Sequence, residues 1–440
     1  MEPPKDYGGM GRAIQGQIYT QGAVGIKPKV PTDPLALAFA ASNKMTPEAY
    51  WYVAGSAGMQ RTAEANVTAF ERYQIVPRML RDVRERSTAS NVLGTHLAAP
   101  VLFAPIGVLE MAHSQAEVAV AKAAATLGVP MVISTQGSRP MEETSASLGP
   151  APMWYQLYWS GNNDLMRSLV TRAEKAGAKA IVVTLDTHAI GWRTRDLDLG
   201  FLPFAKGMGL AQYFSDPVFL ELVKQRVENP PPKDPSLPTP RPTLAALGTL
   251  WSQAAHYPGN TVSNLLSGYP RAAVETFLDV FPCSGLKWTD LELLKSITKL
   301  PIILKGIQTA SDAELALRHG VDGIVVSNHG GRQVDGAIAS VDALEAVARE
   351  LEGRIPIIFD SGIRSGADVF KALALGASAV FVGRPWLYGL ALDGADGAKA
   401  VMERIIAELD ITMALAGVKN LSEINRDCIR RAGAASGAKL

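Results

Sequence analysis

One decapeptide, SNHGGRQVDG (residues 327–336), sets an imidazole and a guanidinium three residues apart, directly after the apolar run GIVV. His329 is the candidate for acid–base work, because an unperturbed imidazole titrates near neutrality. Arg332, together with Arg193 in HAIGWRTRD, can grip a carboxylate in a fork that lysine cannot copy, with Arg195 the second choice to Arg193. Asp186, in AIVVTLDT, can hold the His329 ring and stabilise an imidazolium. Lys305, at the end of PIILKG, has three uses: a Schiff-base nucleophile as in a class I aldolase, a fixed cation for a developing anion, or a salt-bridge partner. Position does not choose among them. Tyr52 and Tyr158 add hydroxyl donors, although both sit in aromatic runs of the kind that usually build cores. His96, His113, His188, His256 and His319 have no comparable company in the sequence.

Regular elements must bring these residues together. Short apolar runs recur at 100–107, 130–137, 153–159, 180–187, 301–306, 323–331, 356–362 and 379–385, each followed by a helical pattern. Runs that are continuously apolar, rather than alternating, are buried on both faces, as in a parallel sheet covered by helices. Eight strand–helix units predict an α/β fold of the (β/α)8 TIM-barrel type. A doubly wound open sheet fits less well, since no GxGxxG turn follows the first run. In a barrel the site lies at the C-terminal strand ends. Those ends read Pro105 and Gly107, Ser134 and Thr135, Gln156 and Tyr158, Thr184 and Asp186, Lys305, Ser327 and His329, Asp360, Gly383 and Arg384. Charges buried there without partners would cost several kcal/mol apiece, so they must meet one another or a ligand. The seventh and eighth runs end in DSGIRSGAD and VGRP. Each joins glycine to an arginine, Arg364 or Arg384, where barrels commonly bind phosphate; tight turns with surface arginines are the plainer alternative.

The remainder divides around this core. Residues 1–99 form an N-terminal extension whose text TPEAYWYVAGSAGMQRTAEANVTAFERY predicts a helical cap over one barrel mouth. Residues 100–440 form the barrel. Its long insertion after strand 4, residues 194–288, is the candidate lid or substrate loop, and prolines in ENPPPKDPSLPTPRPT forbid regular structure there. A net charge of +1 without charge blocks argues against an electrostatic nucleic-acid binder. Cys283 and Cys428 lack metal-like spacing, so no metal site is expected and a reducing intracellular compartment fits. No run of about 18 apolar residues predicts a membrane span. The C-terminal Ala-Lys-Leu is close to the Ser-Lys-Leu peroxisomal address, with the cytoplasm as the alternative.

Taken together, SNHGGRQVDG, QLYW, TLDT, ILKG, FDSGIRSGADVFKALALGA and VGRP resemble the FMN-dependent 2-hydroxy acid oxidase and dehydrogenase family, from about Thr46 to Val418. Within it, APIGVLEMAH, GWRTRDLDLGFLPF and SDPVF are similar to the lactate 2-monooxygenase branch, which has a long insertion after strand 4. The resemblance implies FMN as cofactor, a small lactate-like L-2-hydroxy acid as substrate, O2 as acceptor and a homotetramer or homo-octamer. It makes His329 the base and Asp186 its orienter. Arg193 and Arg332 become the carboxylate clamp, Tyr52 and Tyr158 the substrate-side tyrosines, and Lys305 the cation at flavin N1 and O2. Pro105, Ile106, Gly107, Ser134, Gln156, Tyr158, Thr184 and Ser327 match flavin-ring and ribityl contacts. Asp360, Ser361, Gly362, Ile363, Arg364, Gly383 and Arg384 match the phosphate and ribityl site. Gln136 departs from the pattern: glycolate oxidase has a tryptophan there and lactate-type members a small residue, so a polar group stands beside the substrate side chain. Early product release implies 2-oxo acid and hydrogen peroxide, and retained product implies oxidative decarboxylation. The rivals are a dehydrogenase with another acceptor, a Lys305 aldolase and a non-catalytic phosphate-binding barrel.

Overall fold

A computed structural model describes residues 2–232, 243–281 and 283–433. Most of the proline-rich stretch and the terminal Ala-Lys-Leu lie outside the described residues. Eight parallel strands close a barrel in chain order: β1 Val101–Phe103, β2 Met131–Ser134, β3 Met153–Tyr158, β4 Ile181–Thr184, β5 Ile302–Ile307, β6 Gly323–Val326, β7 Ile357–Phe359 and β8 Ala379–Val382. Each is followed by a helix: α1 Ala116–Leu127, α2 Met141–Leu148, α3 Asn163–Lys175, α4 Leu291–Ile297, α5 Ala310–Arg318, α6 Ser340–Leu351, α7 Gly366–Ala374 and α8 Arg384–Ala416. The expected (β/α)8 barrel is therefore what the chain forms.

The continuous apolar strands are explained by two cores. Leu102, Val132, Trp154, Val182, Ile303, Val325, Ile358 and Phe381 point into the barrel, while their neighbours pack outward against the helices. Both faces are dry, so alternation has no polar face to mark. The N-terminal mouth is plugged by an antiparallel hairpin, Ser90–Val92 with Thr95–Leu97. Val92 and Leu97 join the inner core, and the Trp154 indole donates to Thr95 Oγ1 at 3.1 Å. Truncating Trp154 to alanine would cost about 3–5 kcal/mol by opening that core.

Residues before β1 occupy three places. Helices Gly11–Ala23 and Pro34–Lys44 pack on the flank against α8. The hairpin closes the bottom. Helices Pro47–Ala54 and Arg61–Thr68 reach the C-terminal end of the barrel strands, where Asp335 accepts from Met59 N–H at 2.7 Å and Arg61 N–H at 2.8 Å. The Asn66 and Asn328 carboxamides bond each other reciprocally, at 2.8 and 2.7 Å. Between β4 and α4 the insertion carries helices Pro217–Glu228, Leu244–His256, Thr261–Ser267 and Tyr269–Val280. Among the described residues no helix is long and apolar enough to cross a membrane, and no group of His, Cys, Asp and Glu could hold a metal ion.

Candidate active site

A polar chain runs around the C-terminal strand ends because sheet register sets the right residues side by side. Ser134 pairs with Gln156, and Thr184 with Lys305. Gln156 Oε1 accepts from Ser134 Oγ at 3.1 Å and Thr135 N–H at 3.2 Å, and its Nε2 donates to Thr184 Oγ1 at 3.0 Å. Lys305 Nζ donates to Ser327 Oγ at 3.0 Å and stands 3.4 Å from Asp360 Oδ2. Burial pulls the Lys305 pKa down, but the Asp360 and Asp186 carboxylates outweigh it and hold the pKa above the usual lysine value. A Schiff-base lysine has to be neutral, so this environment favours the fixed cation.

Beyond β6 the chain turns sharply. His329, Gly330 and Gly331 have φ of 58°, 65° and 76°. A Cβ on Gly330 would sit 2.7 Å from Arg384 Nη1, and one on Gly331 2.5 Å from Ala63 N. Only glycine fits both, while His329 pays about 1 kcal/mol or more for its left-handed conformation. The turn brings His329 Nδ1 to 2.7 Å from Asp186 Oδ1. An ionised carboxylate only accepts, so Nδ1 carries the proton and Nε2 keeps its lone pair. Burial pushes the His329 pKa below the ordinary imidazole value; Asp186 opposes this, and the Lys305 and Arg193 charges reinforce it. Burial alone would raise the Asp186 carboxyl, but His329 and Lys305 hold it low. A neutral imidazole on an ionised carboxylate is the resting form of a general base.

Four arginines crowd the same mouth. Arg332 Nη1 donates to Tyr52 O at 2.6 Å and Gly55 O at 2.9 Å, with its guanidinium 5.2 Å from the Tyr52 ring centre. Arg193 Nε donates to Arg332 O at 3.2 Å. At the other end Arg384 donates to Val53 O, Gly330 O, Gly55 O and Ser56 Oγ at 2.9 to 3.2 Å. Arg364 spends one Nη1 bond on Ile363 O, at 2.9 Å. Of the two phosphate candidates, Arg364 is therefore the freer, and Arg384 also clamps the N-terminal rim. Burial, then repulsion from Arg193, lowers the Arg332 pKa to about 9. Burial, with Arg364 and Arg193 adding to it, lowers that of Arg384 to about 10.

Most of these residues border one cavity of about 430 Å³. Tyr52, Pro105, Ile106, Gly107, Gln136, Tyr158, Arg193, Lys305, His329, Arg332, Asp360 to Arg364, Gly383 and Arg384 line it. Ser134, Gln156, Thr184, Asp186 and Ser327 do not. They stand behind the wall, and Asp186 and Ser327 bond the lining residues His329 and Lys305. Burial raises the pKa of both Tyr52 and Tyr158, so both are phenols at neutral pH. Gln136 is buried, with Nε2 3.5 Å from Tyr213 Oη and Oε1 unpartnered. Arg195 lies outside the cavity, its guanidinium 4.4 Å from the Trp51 ring centre.

Several lining residues escaped the sequence reading. Leu197, Phe201, Leu202 and Phe204, from the start of the insertion, and Phe281, from its end, build an apolar wall beside Tyr158. The apolar text GFLPF was the available signal. Asp196 and Gln333 also line the cavity. Gln333 sits in the decapeptide next to Arg332, with no charge to draw notice. His256, set aside for want of company, has a partner after all: its Nε2 is 2.7 Å from Glu110 Oε2, and its Nδ1 is 2.7 Å from Ser252 O. That carboxylate is 146 residues away in the chain.

The residues present fit FMN. The five cations Lys305, Arg193, Arg332, Arg364 and Arg384 outnumber the carboxylates of Asp186, Asp196, Asp360 and Asp368 that act on them. The cationic excess, with arginines whose pKa values are already depressed, calls for anions at both ends. A phosphate at Arg364 and a substrate carboxylate at Arg193 and Arg332 would supply them. The lining also joins apolar Ala104, Ile106 and Phe381 to polar Lys305 and Asp360, as a flat ring with one hydrogen-bonding edge requires.

Residues 41–431 match the FMN-dependent dehydrogenase family. Over 430 residues the chain is 38% identical to an FMN-dependent alpha-hydroxy acid dehydrogenase of Penicillium citrinum, covering 98% of this chain and 97% of that one. It is 39% identical to an L-lactate oxidase of Lysinibacillus sphaericus, covering 87% and 88%. A crystal structure of mandelate oxidase with (S)-4-hydroxymandelic acid superposes with a TM-score of 0.73 at 34% identity, covering 91% of this chain and 98% of that one.

Proposed function

The chain belongs to the FMN-dependent 2-hydroxy acid dehydrogenase and oxidase family, and on that premise we propose how its own residues divide the reaction. Arg193 and Arg332 bind the carboxylate of an L-2-hydroxy acid, and His329 takes the substrate's proton at Nε2. FMN, when bound, would supply the two-electron acceptor; Lys305 would hold its ring side, backed by the Gln156, Ser134 and Thr184 chain behind the wall, and Ser361, Arg364, Gly383 and Arg384 its phosphate side. Asp186 stays ionised to balance the imidazolium that forms on His329. Lys305 stays protonated and fixes a positive charge at the polar edge. Tyr52 and Tyr158, as phenols, donate hydrogen bonds toward the substrate. The wall of Leu197, Phe201, Leu202, Phe204 and Phe281 excludes water and accepts an apolar side chain. Oxygen as final acceptor is part of this reading, supported by relatives named as oxidases.

The observation that carries the reading is the neutral His329 seated on ionised Asp186, in the same cavity as two arginines short of an anion. The test is direct. FMN-loaded protein, mixed anaerobically with short and aryl L-2-hydroxy acids, is expected to lose its yellow absorbance. Failure of every such acid to bleach it overturns the reading. In air, hydrogen peroxide measured against carbon dioxide separates oxidase from monooxygenase turnover.

A further inference from the structure

We propose that Gln333 is a positioning residue that holds the base's partner and the carboxylate clamp in one fixed relation. Its carboxamide has two N–H donors and two acceptor lone pairs, and all four are engaged. Nε2 donates to Asp186 O at 2.6 Å and to Ala189 O at 2.8 Å. Oε1 accepts from Arg193 Nη2 at 3.0 Å and from Gly191 N–H at 3.4 Å. These four partners also settle which way the amide points. Reversed, it would set its donors against two N–H groups and its acceptor against two carbonyls.

The segment so held has few other ties: Leu185 N–H donates to Lys305 O at 2.9 Å, Gly58 N–H to Trp192 O at 2.8 Å, and Arg193 forms an isolated bridge with Ala57. From Leu185 to Trp192 the chain is irregular, with turn and bend only at 186–189, between β4 and the short helix Thr194–Asp198. It carries Asp186 at one end and Arg193 at the other. Close packing adds to the grip, since a Cβ on Gly191 would lie 2.4 Å from Arg332 O and 2.7 Å from Gln333 O. Arg193 is thereby held along its Nε–Nη2 edge, Nε on Arg332 O and Nη2 on Gln333 Oε1, which leaves Nη1 for a ligand. Asp186 receives its backbone tether from the same amide whose acceptor aims Arg193. One uncharged side chain thus couples the proton-transfer pair to the substrate anchor. Only glutamine fits: glutamate lacks the donors, and asparagine is one methylene shorter.

This inference rests on the functional reading, and its test separates the two. Gln333→Met keeps the volume and removes all four bonds. FMN-loaded variants are titrated calorimetrically with pyruvate and 3-phenylpyruvate, which carry the carboxylate but need no turnover. Gln333→Met is expected to weaken binding at least tenfold. Gln333→Met combined with Arg193→Met is expected to bind no more weakly than Arg193→Met alone, because the glutamine acts through that arginine. Unchanged affinity for Gln333→Met, or additive losses in the pair, overturns the proposal. Gln333→Glu keeps the acceptor half and loses the donor half, so flavin reduction at saturating substrate should fall at least tenfold, well beyond its loss of affinity. An equal fall in both quantities overturns the coupling. Bleaching of the wild-type flavin tests the functional reading alone.

Discussion

Among the described residues, two histidine–carboxylate pairs share the same 2.7 Å contact and have opposite electrostatics. His329 sits against Asp186 at the barrel mouth, and its pKa is lowered. His256 sits against Glu110, and its pKa is raised by that hydrogen bond more than burial lowers it. Two differences account for this. Burial weighs most on His329, and the positive charges of Lys305 and Arg193 add to it by opposing a second proton. His256 instead bonds at both nitrogens, with Ser252 O accepting at Nδ1 and Glu110 Oε2 at Nε2, so both positions need a proton. The first ring is a neutral base with a free lone pair. The second is a cationic latch between the loop after β1 and helix Leu244–His256 of the insertion. A carboxylate neighbour alone therefore does not mark a catalytic histidine; what else surrounds the ring decides.

The largest effect should come from His329→Ala, with flavin reduction by substrate falling about 10²–10⁴-fold in stopped-flow measurements while FMN stays bound. A loss under tenfold would erase the distinction between the pairs. Asp186→Asn should cost about 10²-fold, because the neutral amide neither raises the basicity of His329 nor balances its positive form. In the wild type, the acid limb of kcat/KM should lie below the ordinary imidazole value of about 6.5, since the pKa of His329 is depressed. A limb above 7 would put the two histidines in one class. Arg332→Lys should weaken 2-oxo acid binding by about 1.5–3 kcal/mol through the lost fork, and equilibrium titration reads this directly. Glu110→Gln should have the smallest effect: reduction rates within about threefold and a stability loss of about 1 kcal/mol at pH 6. The sign follows from linkage. A raised histidine pKa contributes fully below its unfolded value and fades as pH rises through the folded one. The thermal penalty of Glu110→Gln should therefore shrink between pH 6 and pH 9, and a penalty that grew would reverse the assignment.

The barrel was legible because its signal is local. Each strand is a short continuous apolar run, each helix follows at once, and polar residues at the C-terminal ends can be read in line. His329, Arg332, Asp186 and Lys305 announced themselves by charge at those ends. Gln333 did not, since its role depends on meeting four groups between Asp186 and Arg193, more than 130 residues earlier in the chain. Glu110 and His256 were equally silent for the same reason. The aromatic wall was visible only as apolar text, because nothing in GFLPF says which face of the insertion meets the cavity. The split of the N-terminal segment between flank, bottom plug and upper rim also required the fold, since packing against α8 or Trp154 leaves no periodic trace.

The short pairing of Tyr73–Ile75 with Ile429–Arg431 has a consequence for synthesis. Gln74 and Arg430, which pair in this ladder, lie 356 residues apart, and β1 likewise waits for β8 before the barrel can close. Arg384 must also emerge before it can clamp Val53. For most of translation the nascent protein therefore presents bare apolar strands and half a catalytic mouth. Contacts this distant in sequence make maturation slow and leave the unfinished chain prone to aggregation. A chain that stops short of residue 429 therefore leaves the Tyr73–Ile75 strand without its partner.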